Sequence, residues 1–288
     1  MEIGIGLPNT IPGTPGRLLV EWARRAEERG FYGLATLDRI VYPNYDSLTA
    51  LAAVAGATGR IRMVTNILLA PVYSPVLLAK AAASIDQISG GRFTLGVGVG
   101  GRPDDFAVTG RDFHTRGRDF DAGLDVLYRV WRGEPVGGGE LAVSPTPVGD
   151  SRVPLLIGGT GEHTLQRLRE YGDGWTSGGA PPEQAAPFAD QVRTTWQDAG
   201  RPGTPRIAAL NYFSLGDEVA DASRGYLRHY YGGFLGDYAE VIAEGALRSP
   251  DAVRDAIKQF EDAGFTEVYL DPTVASLDQI DRLADVVL

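Results

Sequence analysis

A run of glycines between an apolar segment and the start of a helix is the part of this sequence whose chemistry is easiest to state. Leu156-Ile157 is typical of the end of a strand, and Gly158, Gly159, Thr160 and Gly161, here called the glycine corner, follow it. Glycine lets the backbone approach a ligand closely, and the free N–H groups of a helix N-terminus attract phosphate. Thr160 adds a hydroxyl donor. The same glycines also suit a tight turn that needs a positive φ, and the sequence leaves both interpretations open.

A second glycine group, Gly96-Val97-Gly98-Val99-Gly100-Gly101, formally matches the G-x-G-x-x-G fingerprint of dinucleotide-binding proteins. That fingerprint lies between a strand and a helix. Here the glycines interrupt the strand, and no helix begins directly after them. The match therefore gives little support to a Rossmann dehydrogenase with a nicotinamide cofactor. We instead expect Gly98 to make room for a flat ring system at the end of a strand.

Few side chains of this sequence could transfer protons or bind metals. Asp38 follows a short strand and could orient a ring or cap the loop. Arg39 stays protonated, so it could bind an anion or pair with Asp38 but cannot act as a base. His114 lies in an inserted loop and could reach a pocket or face solvent. The 3 histidines are not at metal-ligand spacing and cysteine is absent, so we expect no metal site and no thiol chemistry.

The elements that must position these residues repeat one unit eight times: a short apolar strand, a turn and a segment with helical periodicity. The count favours a closed parallel barrel, the (β/α)₈ TIM barrel of α/β proteins, with residues 1–288 as one domain. An open doubly wound sheet is the alternative, because periodicity alone does not separate the two. Residues 101–117 and 135–153 look inserted, the second as an irregular excursion or a short hairpin. The predicted strands are Ile3–Leu7, Leu34–Leu37, Ile61–Leu68, Phe93–Val99, Pro154–Ile157, Trp175–Ser177, Ile207–Phe213 and Val268–Leu270.

In such a barrel the functional groups gather after the C-terminal ends of the strands. The candidate site residues at these positions are Asp38, Arg39, Thr65, Asn66, Gly98, Gly158, Gly159, Thr160, Gly161 and Trp175. Apolar and aromatic side chains expected to shape a pocket for an organic substrate are Phe106, Tyr212, Phe213 and Phe234.

The charge balance disfavours some classes of partner. The formal net charge is −10, which disfavours a nucleic-acid groove and an anionic membrane surface. The opening residues Met1–Gly4 show no basic region followed by an apolar run, and no apolar stretch reaches the roughly 18 residues of a membrane span. We therefore expect a cytoplasmic protein that acts on a small molecule.

Across nearly its whole length the chain resembles the bacterial luciferase-like family of flavin-dependent oxidoreductases. No single motif is decisive, but the order and spacing of several together are specific. The segments that carry the resemblance are Ile3–Pro8, Trp22-Ala23, Glu27–Phe31, Asp38, Gly59–Arg62, Thr65–Ile67, Pro75, Leu78–Lys80, Ser84–Asp86, Ser89–Phe93, Gly96–Gly98, Gly158-Gly159 and Asp173–Trp175.

The resemblance implies a barrel, usually dimeric, that binds FMN or the related deazaflavin coenzyme F420 at the strand ends. It implies a ring near Asp38, Thr65, Asn66 and Gly98, a phosphate at Gly158, Gly159 and Thr160, and a non-prolyl cis peptide around Thr65–Ile67. The main hypothesis is a two-component monooxygenase, in which reduced FMN from a separate flavin reductase and dioxygen oxidise a small organic substrate. Hydride transfer with the deazaflavin coenzyme is the second hypothesis, and a flavin-binding barrel without turnover is the third.

The chain departs from the family pattern at two positions. Family members often have an acidic residue followed by histidine after the second strand, where this chain has Asp38-Arg39, and Asp-Glu early in the fourth helix, where it has Asp121-Ala122. The proton donor is therefore open: His114, Tyr212 or the flavin itself could serve. The chain is also short for the family, which predicts a more open pocket.

Overall fold

A closed ring of parallel strands forms the centre of the computed structural model, which describes residues 1–149 and 152–288. The ring closes because the first strand segment, Glu2–Gly6, pairs with the second and the last, and the third, Arg62–Thr65, pairs with the second and with Phe93–Gly98. The predicted (β/α)₈ barrel is confirmed, and the open-sheet alternative is wrong. The strand segments are β1 (Glu2–Gly6), β2 (Gly33–Thr36), β3 (Arg62–Thr65), β4 (Leu68–Leu69), β5 (Phe93–Gly98), β6 (Leu155–Gly158), β7 (Gly174–Thr176), β8 (Arg206–Phe213) and β9 (Glu267–Pro272), of which β3 and β4 are two parts of one barrel strand.

Amphipathic helices cover the outside of the ring. In the first of them, Leu19, Trp22, Ala23 and Ala26 form one buried face, and Gly30 ends the helix in the left-handed conformation at φ 92°. The helices are α1 (Gly16–Arg29), α2 (Ser47–Ala57), α3 (Pro75–Ser89), α4 (Pro103–Thr109), α5 (Arg116–Trp131), α6 (Glu162–Glu170), α7 (Pro182–Asp198), α8 (Ala220–Leu235), α9 (Tyr238–Gly245), α10 (Pro250–Asp262) and α11 (Asp278–Val287).

Charged and polar side chains close the N-terminal end of the barrel. Arg206 Nε and Nη2 donate to the two carboxylate oxygens of Glu267 at 2.7 and 2.9 Å. Arg206 Nη1 donates to Thr94 Oγ1 at 2.9 Å, and the Tyr269 hydroxyl donates to Glu267 Oε2 at 2.9 Å. The buried carboxylate and all three nitrogens of the partly buried guanidinium group therefore have protein partners.

Above this network the barrel interior is apolar. Ala35, Val64, Leu156, Ala208 and Tyr269 pack together as one buried cluster. The first strand contributes only glycine to this interior, because a Cβ at Gly4 would overlap the Tyr269 ring and one at Gly6 would overlap the Asp271 carboxyl group. Glycine in β1 thus makes space for two large β9 side chains.

The inserted regions differ from their sequence descriptions. Residues 101–117 contain a short helix, α4, and residues 135–149 contain no strand, so the hairpin alternative for 135–153 is wrong for the described part, which leaves out Asp150 and Ser151. The stretch between β8 and α10 holds two helices, α8 and α9, that the sequence did not delimit. Among the described helices, none has the length and apolar character that a membrane crossing requires.

Candidate active site

A cavity of about 460 Å³, here called the inner cavity, opens at the C-terminal ends of the strands. It shares wall residues with a neighbouring outer cavity of about 530 Å³. The inner cavity is lined by Leu37, Asp38, Arg39, Asn66, Ile67, Leu69, Gly98, Val99, Gly100, Gly101, Arg102, Asp105, Gly158, Gly159, Tyr230, Tyr231 and Phe234. Both cavities are lined by Arg39, Arg102, Tyr230 and Phe234. The strand-end rule therefore located the cavity correctly.

Asp38 is a buried carboxyl group on the cavity wall. Its oxygens accept hydrogen bonds from the backbone N–H of Leu69 at 3.0 Å and from the hydroxyls of Ser47 and Tyr73, both at 3.3 Å. Burial outweighs these bonds and raises the pKa of Asp38 to about 6. A carboxyl group that gains and loses a proton so close to neutrality is suited to proton transfer.

Arg39 does not pair with Asp38. Its Nε donates to Asp105 Oδ2 at 2.9 Å, and its Nη2 donates to Asp104 Oδ2 at 3.1 Å. Asp105 is fully buried and also accepts from the backbone N–H groups of Ile40 and Val41. This arrangement corrects the predicted Asp38–Arg39 pairing: the guanidinium charge is neutralised by α4, which it ties to the loop after β2.

Asn66 carries an unused hydrogen-bond donor. The peptide bond between Asn66 and Ile67 is cis, within the predicted segment. Asn66 Oδ1 accepts from the Thr176 hydroxyl at 2.8 Å, whereas its buried Nδ2 has no partner among the described residues. A buried N–H donor on a cavity wall is explained if a ligand accepts from it.

Thr65, the neighbouring candidate, does not line the cavity. Its hydroxyl donates to the Gly96 carbonyl at 2.7 Å and accepts from the Gly96 N–H at 2.9 Å. The side chain therefore joins β3 to β5, and contact with a cofactor ring is not supported. Side chains alternate along a strand, so only one of two consecutive candidates points to a given side.

Gly98 and Gly158 both line the cavity, but the room they make is taken by protein. A Cβ at either position would overlap the Cδ1 atom of Ile67. Ile67 itself lies on the cavity wall. The expectation that Gly98 makes space directly for a flat ring is thus corrected: these glycines seat an isoleucine on which a ring could lie.

The glycine corner adjoins the cavity through Gly158 and Gly159. Gly159 and Gly161 have φ values of 94° and 112°, which only glycine adopts readily. Thr160 and Gly161 are exposed and do not line the cavity. Within the described ranges, no protein acceptor receives the backbone N–H groups from Gly159 to Gly161, and α6 begins immediately after them. The two interpretations of the glycine corner therefore both hold: the turn needs glycine at positive φ, and its backbone N–H groups are free to bind a ligand.

Trp175 supports the glycine corner from behind. It is buried, and its ring packs against Phe188 and Phe265 on the side of the barrel. Its indole N–H donates to the Gly159 carbonyl at 2.7 Å. The predicted direct contact with a cofactor is therefore not supported, and Trp175 instead fixes the direction in which the corner faces.

The histidine candidate lies outside the cavity. His114 is exposed in the loop before α5 and is not among the wall residues, so its predicted reach into a pocket is not supported. His229 lines the outer cavity and shares a 2.7 Å hydrogen bond with the Tyr42 hydroxyl. Within residues 1–149 and 152–288, no cluster of side chains suits a metal ion.

Aromatic residues of α8 cover the inner cavity. Phe234 lies on its wall as expected, together with Tyr230 and Tyr231, which sequence reasoning missed. Their spacing of three and four residues on one helix was the available signal. Arg102 was missed as well. The other expected wall residues, Phe106, Tyr212 and Phe213, are buried away from it, although the hydroxyls of Tyr212 and Tyr231 share a 2.6 Å hydrogen bond.

Comparison with known proteins places the chain in a family. A family model described as luciferase-like monooxygenase matches residues 1–264. The chain belongs to this family. Family members are oxidoreductases and monooxygenases, and the match includes every strand except the last and all of the inner cavity wall.

Individual relatives agree with this assignment. A 4-hydroxyprotoasukamycin monooxygenase from Streptomyces nodosus subsp. asukaensis is 28% identical over 82% of this chain and 66% of its own length. A monooxygenase from Streptomyces bottropensis has the same fold, with a TM-score of 0.81 and 24% identity over 99% of this chain and 97% of that one.

Two further solved structures share the fold. An F420-dependent secondary alcohol dehydrogenase has a TM-score of 0.80 and 20% identity, covering 99% of this chain and 98% of that one. The oxygenating constituent of 3,6-diketocamphane monooxygenase from Pseudomonas putida, in complex with FMN, has a TM-score of 0.77 and 16% identity, covering 100% and 98%. Proteins of this fold therefore differ in cofactor, with F420 in one case and FMN in the other.

Proposed function

We propose that the protein is a flavin-dependent monooxygenase that uses reduced FMN, supplied by a separate reductase, and dioxygen to oxidise a small organic substrate. The observation that carries the proposal is an unpaired side-chain donor on the wall of the inner cavity, with further unpaired backbone donors in the glycine corner that adjoins it. Asn66 Nδ2 and the N–H groups of the glycine corner have no acceptor among the described residues. The family provides the reaction class, and one related fold is solved with FMN.

The residues present fit this cofactor. A flavin ring carries carbonyl oxygens and ring nitrogens that accept hydrogen bonds, which matches the free amide donor of Asn66. A phosphate matches the free backbone N–H groups from Gly159 to Gly161 at the start of α6. When bound, the flavin supplies the electrons and the reaction with dioxygen, which no protein side chain can supply.

The protein side chains would position the reactants and exclude water. Ile67 and Leu69 form an apolar floor, and Tyr230, Tyr231 and Phe234 form an aromatic cover. Excluding water strengthens every electrostatic interaction inside the cavity. Asp38, whose pKa is raised to about 6, would hold or release a proton at the wall.

Titration with cofactors tests this proposal. Purified protein is titrated anaerobically with reduced FMN and with reduced coenzyme F420, and binding is followed by cofactor fluorescence. We expect binding of reduced FMN and oxygen-dependent product formation from candidate substrates when a flavin reductase and NADH are added. Binding of neither cofactor would contradict the proposal. FMN binding without any oxygen-dependent turnover would instead identify a non-catalytic flavin-binding barrel.

One observation favours hydride transfer with the deazaflavin coenzyme as a second candidate. Moving a hydride between an alcohol and a carbonyl group requires a proton donor or acceptor near the oxygen atom. Asp38 lies on the cavity wall with a pKa of about 6 and provides such a group without histidine. Selective binding of coenzyme F420, with reduction or oxidation that proceeds in the absence of dioxygen, would support this candidate over the first.

A further inference from the structure

Arg102 is a half-buried arginine that has no ion-pair partner among the described residues. It lines both the inner and the outer cavity, and no carboxylate of the described chain forms an ion pair with it. Within residues 1–149 and 152–288, its side chain makes one hydrogen bond, from Nη2 to the Tyr230 carbonyl at 3.0 Å. Burial and the neighbouring Arg39 lower the pKa of Arg102, yet a guanidinium remains protonated in proteins. The remaining N–H donors of this group are therefore available to a ligand.

The neighbouring arginine, Arg39, differs from Arg102 because it has carboxylate partners. Arg39 is held by Asp105, which is fully buried, and by Asp104. Both carboxylates come from the first turn of α4, directly after Arg102, and both form ion pairs with Arg39. Asp38, the remaining carboxyl group on the wall, is engaged by Leu69, Ser47 and Tyr73. None of these three carboxyl groups forms an ion pair with Arg102, so a ligand carboxylate could pair with it directly.

Aromatic faces hold Arg102 in position. Its guanidinium carbon lies 4.6 Å from the ring centre of Phe234, 5.3 Å from that of Tyr230 and 5.8 Å from that of Tyr231. Such cation–π contacts offset part of the cost of burying the charge and fix the plane of the group. A planar guanidinium with two parallel N–H donors matches the geometry of a carboxylate.

We propose that the substrate is an organic acid with a planar apolar body, and this inference rests on the proposed function. Its carboxylate would pair with Arg102, and its body would pack against Tyr42, Tyr230 and Phe234, which line the outer cavity. The glycine corner has its own free N–H donors, so the cofactor phosphate does not require Arg102. Arg102 is thus a specificity-determining residue for the negative end of the substrate.

A matched pair of probes tests the proposal. Naphthoate and naphthamide have the same aromatic body, but only naphthoate is charged. We expect the wild-type protein to bind naphthoate about ten- to a hundredfold more tightly than naphthamide by calorimetry, as for one charged hydrogen-bonded pair. Arg102→Met should abolish this preference. Arg102→Lys keeps the charge but not the two parallel N–H donors, so it should retain a smaller preference for naphthoate. It replaces Arg102→Met as the test variant if the methionine variant does not fold.

A control removes the same charge elsewhere. Arg118→Met should leave the preference unchanged, because that side chain is 78% exposed and lines neither cavity. Equal affinity of the wild type for the two probes, no detectable binding of either at millimolar concentration, or an unchanged preference in Arg102→Met would overturn the proposal.

Cofactor titration separates the two sources of an anionic group. If Arg102→Met weakens binding of FMN but not of riboflavin, which lacks the phosphate, Arg102 serves the cofactor and the assignment to the substrate is wrong. If the wild type binds neither FMN nor coenzyme F420 yet prefers naphthoate, the proposed function fails while the anion site stands.

Discussion

The two ends of the barrel differ in how fully their polar groups are hydrogen-bonded. At the N-terminal end, every guanidinium nitrogen of Arg206 and both carboxylate oxygens of Glu267 have protein partners. At the C-terminal end, Asn66 Nδ2 and both oxygens of Asp271 have none among the described residues. Glu267 at one end and Asn66 and Asp271 at the other are all buried, so exposure of these three side chains does not explain the difference. Unpaired buried polar groups are costly, and a structure keeps them where another requirement overrides stability. The satisfied end holds the barrel together, and the unsatisfied end faces the proposed cofactor.

Asp271 illustrates the cost at the unsatisfied end. Burial raises its pKa well above the usual value, and no other influence on that pKa is resolved. Its carboxyl group occupies the space left by Gly6. Carboxyl groups in such surroundings stay protonated rather than carry an unpaired charge.

The largest expected effect comes from removing the Arg206–Glu267 ion pair at the N-terminal end of the barrel. Glu267→Ala leaves Arg206, whose side chain is 26% exposed, without its carboxylate partner, which should cost about 2–4 kcal/mol of unfolding free energy. Urea unfolding measures this loss, and the folded variant should bind FMN with wild-type affinity. The control is Glu261→Ala, whose carboxylate is 60% exposed and whose loss should cost less than about 0.5 kcal/mol. Similar costs for the two variants would show that the network contributes little.

The second prediction concerns pH and the unsatisfied end. The pKa of Asp38 is about 6 in the folded protein and roughly 3.9 in an unfolded chain. Because the folded pKa is the higher one, the contribution of Asp38 to stability is complete below about pH 4 and is lost as the pH rises to 6. Asp38→Asn removes this loss, so the variant should gain up to about 3 kcal/mol relative to wild type between these pH values.

Urea unfolding at a series of pH values measures that gain. Asp125→Asn, at a carboxylate that is 57% exposed, controls for the loss of one negative charge. A constant difference between Asp38→Asn and wild type across the range would show that the pKa of Asp38 is not raised.

The third prediction concerns the free donor itself. Asn66→Leu should weaken FMN binding about tenfold, as for loss of one hydrogen bond, and should lower the unfolding free energy without ligand by about 1–3 kcal/mol, because the buried Thr176 hydroxyl loses its acceptor. Thr176→Val removes only the hydroxyl that donates to Asn66 Oδ1 and leaves Nδ2 in place, so it should weaken FMN binding less. Fluorescence titration compares the two. Wild-type affinity in Asn66→Leu would remove Asn66 from the cofactor site.

The smallest expected effect concerns the support of the glycine corner. Trp175→Phe keeps the packing but removes the N–H that bonds the Gly159 carbonyl, at a cost of about 1 kcal/mol. FMN binding should weaken severalfold, and riboflavin binding should not. The matched control is Trp196→Phe, which loses a comparable bond to the Pro202 carbonyl away from the cavity and should leave FMN affinity unchanged. Equal loss of FMN and riboflavin affinity in Trp175→Phe would contradict a role at the phosphate.

The sequence predicted features that depend on local patterns. Eight strand–helix units predicted the barrel, and the strand-end rule placed Asp38, Asn66 and the Gly158–Gly159 pair on the cavity wall. Thr65 and Trp175 do not line the cavity, because consecutive residues of a strand point to opposite faces and the sequence does not define strand positions to one residue.

Other site residues depend on contacts between distant parts of the chain. Arg39 pairs with a carboxylate 66 residues later, within an insertion whose helix the sequence did not indicate. Tyr230 and Tyr231 reach the cavity only because α8 folds back over the strand ends. Such placements follow from tertiary packing, which a pattern along one segment does not contain.

The cover over the inner cavity has a consequence for how this protein diversifies. Tyr230, Tyr231 and Phe234 all come from α8, within the single stretch between β8 and α10, while the floor comes from strand ends spread through the first two thirds of the chain. Replacing that stretch with the corresponding one from a relative should therefore change substrate preference and leave the affinity for the proposed cofactor unchanged. The aromatic side chains expected to select the substrate thus lie in one exchangeable segment of the chain.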